Sequence, residues 1–191
     1  MPTKRTIEAD HGHFFITFTC RHWLPLIAVI DGYDIMYNWF DFLRKQGHFI
    51  TGYVIMPNHL HATIAFRKTH KSINKIVGDG KRFMAYTIVE RLTNLGRHDL
   101  LIELEMAVNP SDKKRGKHHE VWEESFCWKE CFGAHFTWQK IQYMHKNPCS
   151  GKWMLAQNII AYQHSSARFY LTGHQAAYSV THFMHLRNLT L

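Results

Sequence analysis

Two histidines one residue apart, His59 and His61, and a tyrosine and an asparagine four apart, Tyr143 and Asn147, are the residues whose types and spacing could do chemistry. Neutral imidazole nitrogens are the commonest ligands of divalent metals, and a strand carrying two of them on one face fixes their separation. Two ligands are too few, so a third must come from elsewhere. Tyr143 and Asn147 share a face for as long as a helix lasts. A phenolate there can attack phosphorus to form a covalent intermediate, and an amide oxygen one turn later can complete a site begun by two histidines. Two imidazoles with an asparagine oxygen leave room for substrate oxygens and favour Mg²⁺ or Mn²⁺ over a closed zinc site. Taken singly, each feature also fits ordinary packing, since a His-x-His arises by chance and a late helical tyrosine often fills an amphipathic face.

The elements that must position these residues follow from periodicity. Residues 54–65 read as one half-buried β-strand, in which Val54, Met56, Leu60, Ala62 and Ile64 alternate with Tyr53, His59, His61 and Thr63. His59 and His61 then project away from the apolar face. Phe14-Phe15-Ile16-Thr17-Phe18-Thr19-Cys20 suits a first strand paired with it. Between them, Asp31 offers an N-cap, Met36, Trp39, Phe40 and Leu43 form a helical stripe, and Gly47 a stop, so the opening third reads strand, helix, strand.

Ser72 caps a second helix with the stripe Ile73, Ile76, Val77, Phe83, Met84 and Ile88, weakened by Gly78 and Gly80. Lys71, Lys75, Lys81 and Arg82 crowd its start and fit either a phosphate-holding surface or a solvated face. The pattern lapses over 94–120, where Leu100-Leu101-Ile102-Glu103-Leu104 fits a short helix or strand and the run from Asn109 to Lys117, with Lys113, Lys114 and Arg115, reads as a basic loop. Phe126 to Phe132 suits another strand. A helix from about His135 passes through Trp138, Ile141, Tyr143, Met144 and Lys146 and stops before Pro148. The tail from Thr172 to Leu191 fits a last amphipathic helix through Ala177, Val180, Phe183 and Met184. No repeat or linker divides the chain, so residues 1–191 read as one domain.

Composition narrows the partners. A formal charge of +8 and a pI near 9.4 favour a polyanion, of which nucleic acid is the commonest, although a basic surface also serves solubility. The four cysteines, Cys20, Cys127, Cys131 and Cys149, lack the close pairs of a zinc ribbon, and a site from Cys127, Cys131 and His118 or His119 is a weaker alternative. No run approaches the length of a membrane span and the amino terminus lacks a signal-peptide core, which points to a cytoplasmic protein.

Met56-Pro57-Asn58-His59-Leu60-His61 resembles the motif of the HUH endonucleases, in the form found in single-strand transposases. Tyr143-Met144-His145-Lys146-Asn147-Pro148, followed by Gly151, resembles the catalytic-tyrosine segment of the REP-associated tyrosine transposases. Val121-Trp122-Glu123 and Ser165-Ser166-Ala167 with Tyr170 also match that family's pattern. The match runs from about residue 11 to 170, while the insertion at 94–120 and the tail at 171–191 are unmatched.

The resemblance implies an α+β, ferredoxin-like (RRM-like) HUH endonuclease domain, an antiparallel sheet with helices packed on it. It implies His59 and His61 as ligands of Mg²⁺ or Mn²⁺, Asn147 at the third ligand's position, and Tyr143 as a nucleophile. Tyr143 would cut single-stranded DNA to leave a 5′-phosphotyrosine and a free 3′-OH, and reverse attack would rejoin strands. The implied substrate is hairpin DNA with short flanking guides; by their charge, Lys71, Lys75, Lys81, Arg82, Lys113, Lys114, Arg115 and Lys146 are the candidates to contact it. The protein would act as a monomer or as a homodimer with composite active sites. Two rivals stand beside this reading: a catalytically silent single-stranded nucleic-acid-binding module on the same fold, and a metal hydrolase of small phosphodiesters. A basic surface is superfluous for the latter.

Overall fold

The computed structural model describes residues 6–188 apart from 125 and 152; residues 1–5 of the basic amino terminus and the end of the expected tail helix, 189–191, lie outside it. Four strands, β1 (Gly12–Thr19), β2 (Phe49–Met56), β3 (His59–Phe66) and β4 (Cys127–Glu130), form one antiparallel sheet in the order β2-β3-β1-β4. Before β2 come a single turn, α1 (Leu26–Val29), and α2 (Tyr33–Lys45). After β3 come α3 (Ile73–Asn94), α4 (His98–Met106) and α5 (Pro110–Lys114), and after β4 come α6 (Gly133–Lys146) and α7 (Ala167–Thr172). The architecture is α+β, with the strand order of the ferredoxin-like fold.

The stretch 54–65 is a hairpin and not one strand. Met56 pairs with His59 across the two-residue turn Pro57-Asn58. Proline has no N–H to give a ladder, so it suits the turn. The turn's carbonyls are both used: Pro57 O accepts from Ile27 N at 3.0 Å and Asn58 O from Cys20 N at 2.8 Å. The reversal changes which side chains share a face. Val54 lies opposite His61 and Met56 opposite His59, so these apolar residues sit on the histidine side, while Leu60, Ala62 and Ile64 fill the other.

Both faces of the sheet are covered. Phe14, Ile16, Phe18, Leu60, Ala62 and Ile64 pack with α2 and α3 in the main core, and a smaller core of Phe15, Val54, Met56, Cys131, Ile141 and Met144 lies beneath α6. Every residue of β3 is consequently buried, where alternation alone suggests a half-buried strand.

Further local differences have identifiable causes. The cap of α2 falls on Gly32, because Asp31 takes a left-handed φ of 46°. Ser72 caps α3 as expected, its hydroxyl accepting from Lys75 N, but Phe83 is 60% exposed because Gly80 occupies the core stripe. The insertion is helical: Leu100 and Leu104 of α4 enter the main core, and Asn109 caps α5 by accepting from Asp112 N at 2.9 Å. The tail is not one helix. Gly173, at φ 77°, ends α7; Tyr178 and Val180 then enter the main core, Thr181 N donates to Ile50 O beside β2, and among the described residues only Phe183–Asn188 turns again, as a 3-10 helix.

Gly80 sets how closely α3 approaches α2, since a Cβ there would lie 2.2 Å from the Trp39 indole nitrogen. Gly80→Ala should therefore cost about 1–3 kcal/mol of stability despite alanine's better helix propensity, read as a lower midpoint in urea unfolding.

Candidate active site

His59 and His61 stand side by side on β3, ring centroids 4.7 Å apart and both rings buried. Asn58, itself fully buried, orients the first of them. Its Nδ2 donates to Trp23 O at 3.0 Å, so its Oδ1 is the acceptor facing His59 Nδ1 at 2.7 Å. That fixes the tautomer of His59 and leaves its Nε2 with a lone pair. The Thr17 hydroxyl, opposite His61 on β1, lies 2.5 Å from His61 Nδ1 and holds that side of the ring. Among the described residues neither Nε2 has a hydrogen-bond partner. Burial pushes His59 down to about 4, and burial aided by the charges of His59 and Lys140 pushes His61 down to about 3. Both rings are therefore neutral at neutral pH, the state a metal requires.

Helix α6 brings the tyrosine. Thr137, Ile141, Met144 and His145 form its buried stripe, and Gly52 of β2 makes room beneath it, since a Cβ at Gly52 would lie 2.6 Å from Met144 Cε. His145 anchors the last turn: its Nε2 shares a 2.8 Å hydrogen bond with Ser166 Oγ, which also accepts from Tyr53 N at 2.9 Å. Tyr143 lies on the flank of this stripe, 54% exposed, with its ring 5.6 Å from His61 and 6.1 Å from Phe15. The tyrosine and the histidine pair thus meet within one chain.

Asn147 follows the last turn of α6, and its amide nitrogen donates to Tyr143 O at 3.1 Å. The contacts of its side chain are with its own helix, and no hydrogen bond joins it to His59 or His61. Among the described residues no three of His, Cys, Asp and Glu gather as a metal group; Cys127 is exposed and Cys131 buried, each as a free thiol. The donor set that fits a divalent cation is the histidine pair, with further positions open to an amide or substrate oxygen.

Most of the sequence-predicted cations lie elsewhere. Lys71, Lys75 and Arg82 converge on Asp79, and Lys81 Nζ donates to Glu123 O at 2.9 Å, all on or beside α3 in the layer across the sheet from α6. Lys113 and Lys114 extend from α5, where Arg115 pairs with Asp112. Only Lys146 shares the tyrosine's helix. The sequence reading missed Lys140, whose ammonium lies 5.5 Å from the Phe15 ring centroid, 5.2 Å from Phe136 and 5.8 Å from Tyr143. It has no carboxylate partner among the described residues. The signal was available, because Phe136, Lys140 and Tyr143 follow i, i+4, i+7 spacing on one helical face.

No family model matches the sequence, and no curated protein resembles it detectably. Among solved structures, the chain is similar to a REP-associated tyrosine transposase bound to a REP hairpin, with a TM-score of 0.64 and 13% identity over 95% of this chain and 93% of that one. At that identity the likeness is one of fold. A protein from Deinococcus radiodurans R1, described only provisionally as a transposase, aligns more loosely, with a TM-score of 0.43 and 15% identity over 77% of this chain and 97% of that one. No helix of the described residues is long and apolar enough to cross a membrane.

The α6 side of the sheet should be acid-sensitive. His13 shares a 2.7 Å hydrogen bond with Thr51, and burial pushes it from 6.5 down to about 4. Between those values the unfolded chain binds protons that the folded one refuses, so stability is full above pH 6.5 and falls progressively toward pH 4. Urea midpoints measured across this window in chelator should fall with pH, and less steeply for His13→Gln than for the parent chain.

Proposed function

We propose that the protein is a metal-dependent single-strand DNA endonuclease and strand transferase of the HUH type, acting on hairpin DNA with Tyr143 as nucleophile. The observation that carries this reading is the approach of the exposed Tyr143 ring to 5.6 Å from His61, beside a histidine pair whose Nδ1 atoms are held by Asn58 and Thr17. The fold it shares with a hairpin-bound transposase supports the choice of substrate.

His59 and His61 would hold Mg²⁺ or Mn²⁺ through Nε2, with Asn147 the candidate for a third protein ligand; the cation supplies Lewis-acid polarisation of the scissile phosphate. The chain's own residues do the rest. The Tyr143 oxygen attacks phosphorus, forming a phenol–phosphate ester as the P–O3′ bond breaks. The phenol gives up its proton and the departing 3′ oxygen takes one up, leaving a 5′-phosphotyrosine and a free 3′-OH. Attack by a 3′-OH reverses the step and joins strands without external energy. Lys140, without a carboxylate partner among the described residues, is positioned to neutralise charge on the phosphate. The overall charge of +8 helps to hold the strand.

Tyr143→Phe removes only the nucleophilic oxygen. It should abolish the protein–DNA adduct on a denaturing gel with hairpin DNA carrying single-stranded flanks and Mg²⁺, while binding stays within about twofold. EDTA or His59→Ala should also abolish the adduct, and Lys140→Met should slow its formation about a hundredfold. An adduct persisting in Tyr143→Phe would overturn the assignment. Binding without any adduct in the parent chain would favour the silent binding module.

A further inference from the structure

Directly after β1 the chain passes through two consecutive left-handed residues that are not glycine, His22 at φ 52° and Trp23 at φ 59°. L-residues avoid this region because Cβ crowds the neighbouring carbonyl, and it persists only where the surroundings over-determine the backbone. Here they do. Arg21 N donates to Val121 O and Trp23 N to Cys20 O, while Glu123 accepts from the Arg21 guanidinium and from His22 N, each at 2.9 Å. His22 Nδ1 also lies 3.1 Å from a Glu103 carboxylate oxygen.

The product of this clamp is a tryptophan that is 58% exposed and yet edge-on to a candidate metal ligand, its ring centroid 6.0 Å from that of His59 at an interplanar angle of 69°. One side chain links the two. Asn58 donates to Trp23 O through Nδ2 and accepts from His59 through Oδ1, so the indole's backbone and the imidazole are oriented by the same buried amide. An indole this exposed, on a clamped backbone beside a phosphate-handling centre, suits a flat aromatic ligand, and every nucleobase offers one.

We propose that Trp23 is a stacking platform for an unpaired base of single-stranded DNA, next to the phosphate presented to His59 and His61. The proposal rests on the strand-cutting reading above and adds the contact that places the strand. Because stacking tolerates any base, Trp23 sets position and not sequence, and its partner nucleotide is defined by place in the strand.

The test is an abasic scan. A DNA hairpin with a mixed-sequence single-stranded flank of about ten nucleotides, covering the usual span of a single-strand site, carries one abasic residue at each position in turn. Binding is measured for the parent chain, Trp23→Leu and Trp23→Gly. One abasic position should weaken the parent's binding about tenfold, the scale of a single base–aromatic stack. Trp23→Leu should bind the intact flank about tenfold more weakly and lose sensitivity at that position alone. Trp23→Gly should show the same loss with an equal or higher thermal midpoint, because glycine relieves the left-handed strain; a merely structural tryptophan would lower it.

If Trp23→Leu binds the intact flank as the parent does, or leaves the abasic profile unchanged, the stacking proposal is overturned, and an adduct at Tyr143 in the parent keeps the cutting reading intact. If the profile depends on Trp23 but no adduct forms, stacking stands and the cutting reading fails. If the parent binds no single-stranded DNA, both fail.

Discussion

The side chain of Asn58 is the interaction on which the histidine end of the sheet depends. It is fully buried in a two-residue turn, where its backbone carbonyl receives Cys20 N, its Nδ2 reaches Trp23 O and its Oδ1 receives the His59 ring. Replacing it with an apolar residue would strand two partners, Trp23 O and His59 Nδ1, each a polar group that costs free energy when left unpaired in the interior. The turn therefore does more than reverse the chain. It fixes which nitrogen of His59 is available and where the residues after β1 must run, so the geometry at the mouth of the site is decided by one amide.

A second constraint comes from covering both faces of the sheet. Helices α2 and α3 fill one face with a large apolar core, leaving α6 to cover the other with a smaller one. On that side the interior has to accept polar groups, and it does so by pairing them: His61 with Thr17, His13 with Thr51, and His145 with Ser166. Burial holds each histidine neutral, and its hydroxyl partner helps to orient the ring. The same arrangement gives α6 a fixed seat, and Tyr143 inherits its position from the buried residues of its own helix, chiefly Ile141, Met144 and His145.

Much of this was legible in the sequence, for definite reasons. The strands and the long helices carry strong periodicity, and the helix through Ile141 and Met144 with a stop at Pro148 places Tyr143 correctly. The hairpin within 54–65 was not legible from alternation, because Val54 and Met56 continue the parity of Leu60 and Ala62 across a turn that reverses the faces; Pro57 was the available cue. Nor was the tail, where Gly173 and the long-range pull of Tyr178 and Val180 into the core override a local amphipathic pattern. The basic residues near Ser72 show the limit of counting charge: their partner, Asp79, lies within the same helix, and only the fold reveals that this helix sits across the sheet from the tyrosine. Trp23 needed three dimensions, since what marks it is what it lies beside, whereas the spacing of Phe136, Lys140 and Tyr143 on one helical face already carried the signal for Lys140.

The central claim is that one chain supplies both the histidine pair and the tyrosine of a single site. Complementation tests it most directly: His59→Ala and Tyr143→Phe chains are mixed in equal amounts, and adduct formation on hairpin DNA with single-stranded flanks is compared with that of the parent. A site built within one chain leaves the mixture as inactive as either variant alone. Recovery of a substantial fraction of the parental adduct would mean that the tyrosine serves a partner's histidines, and would contradict the account.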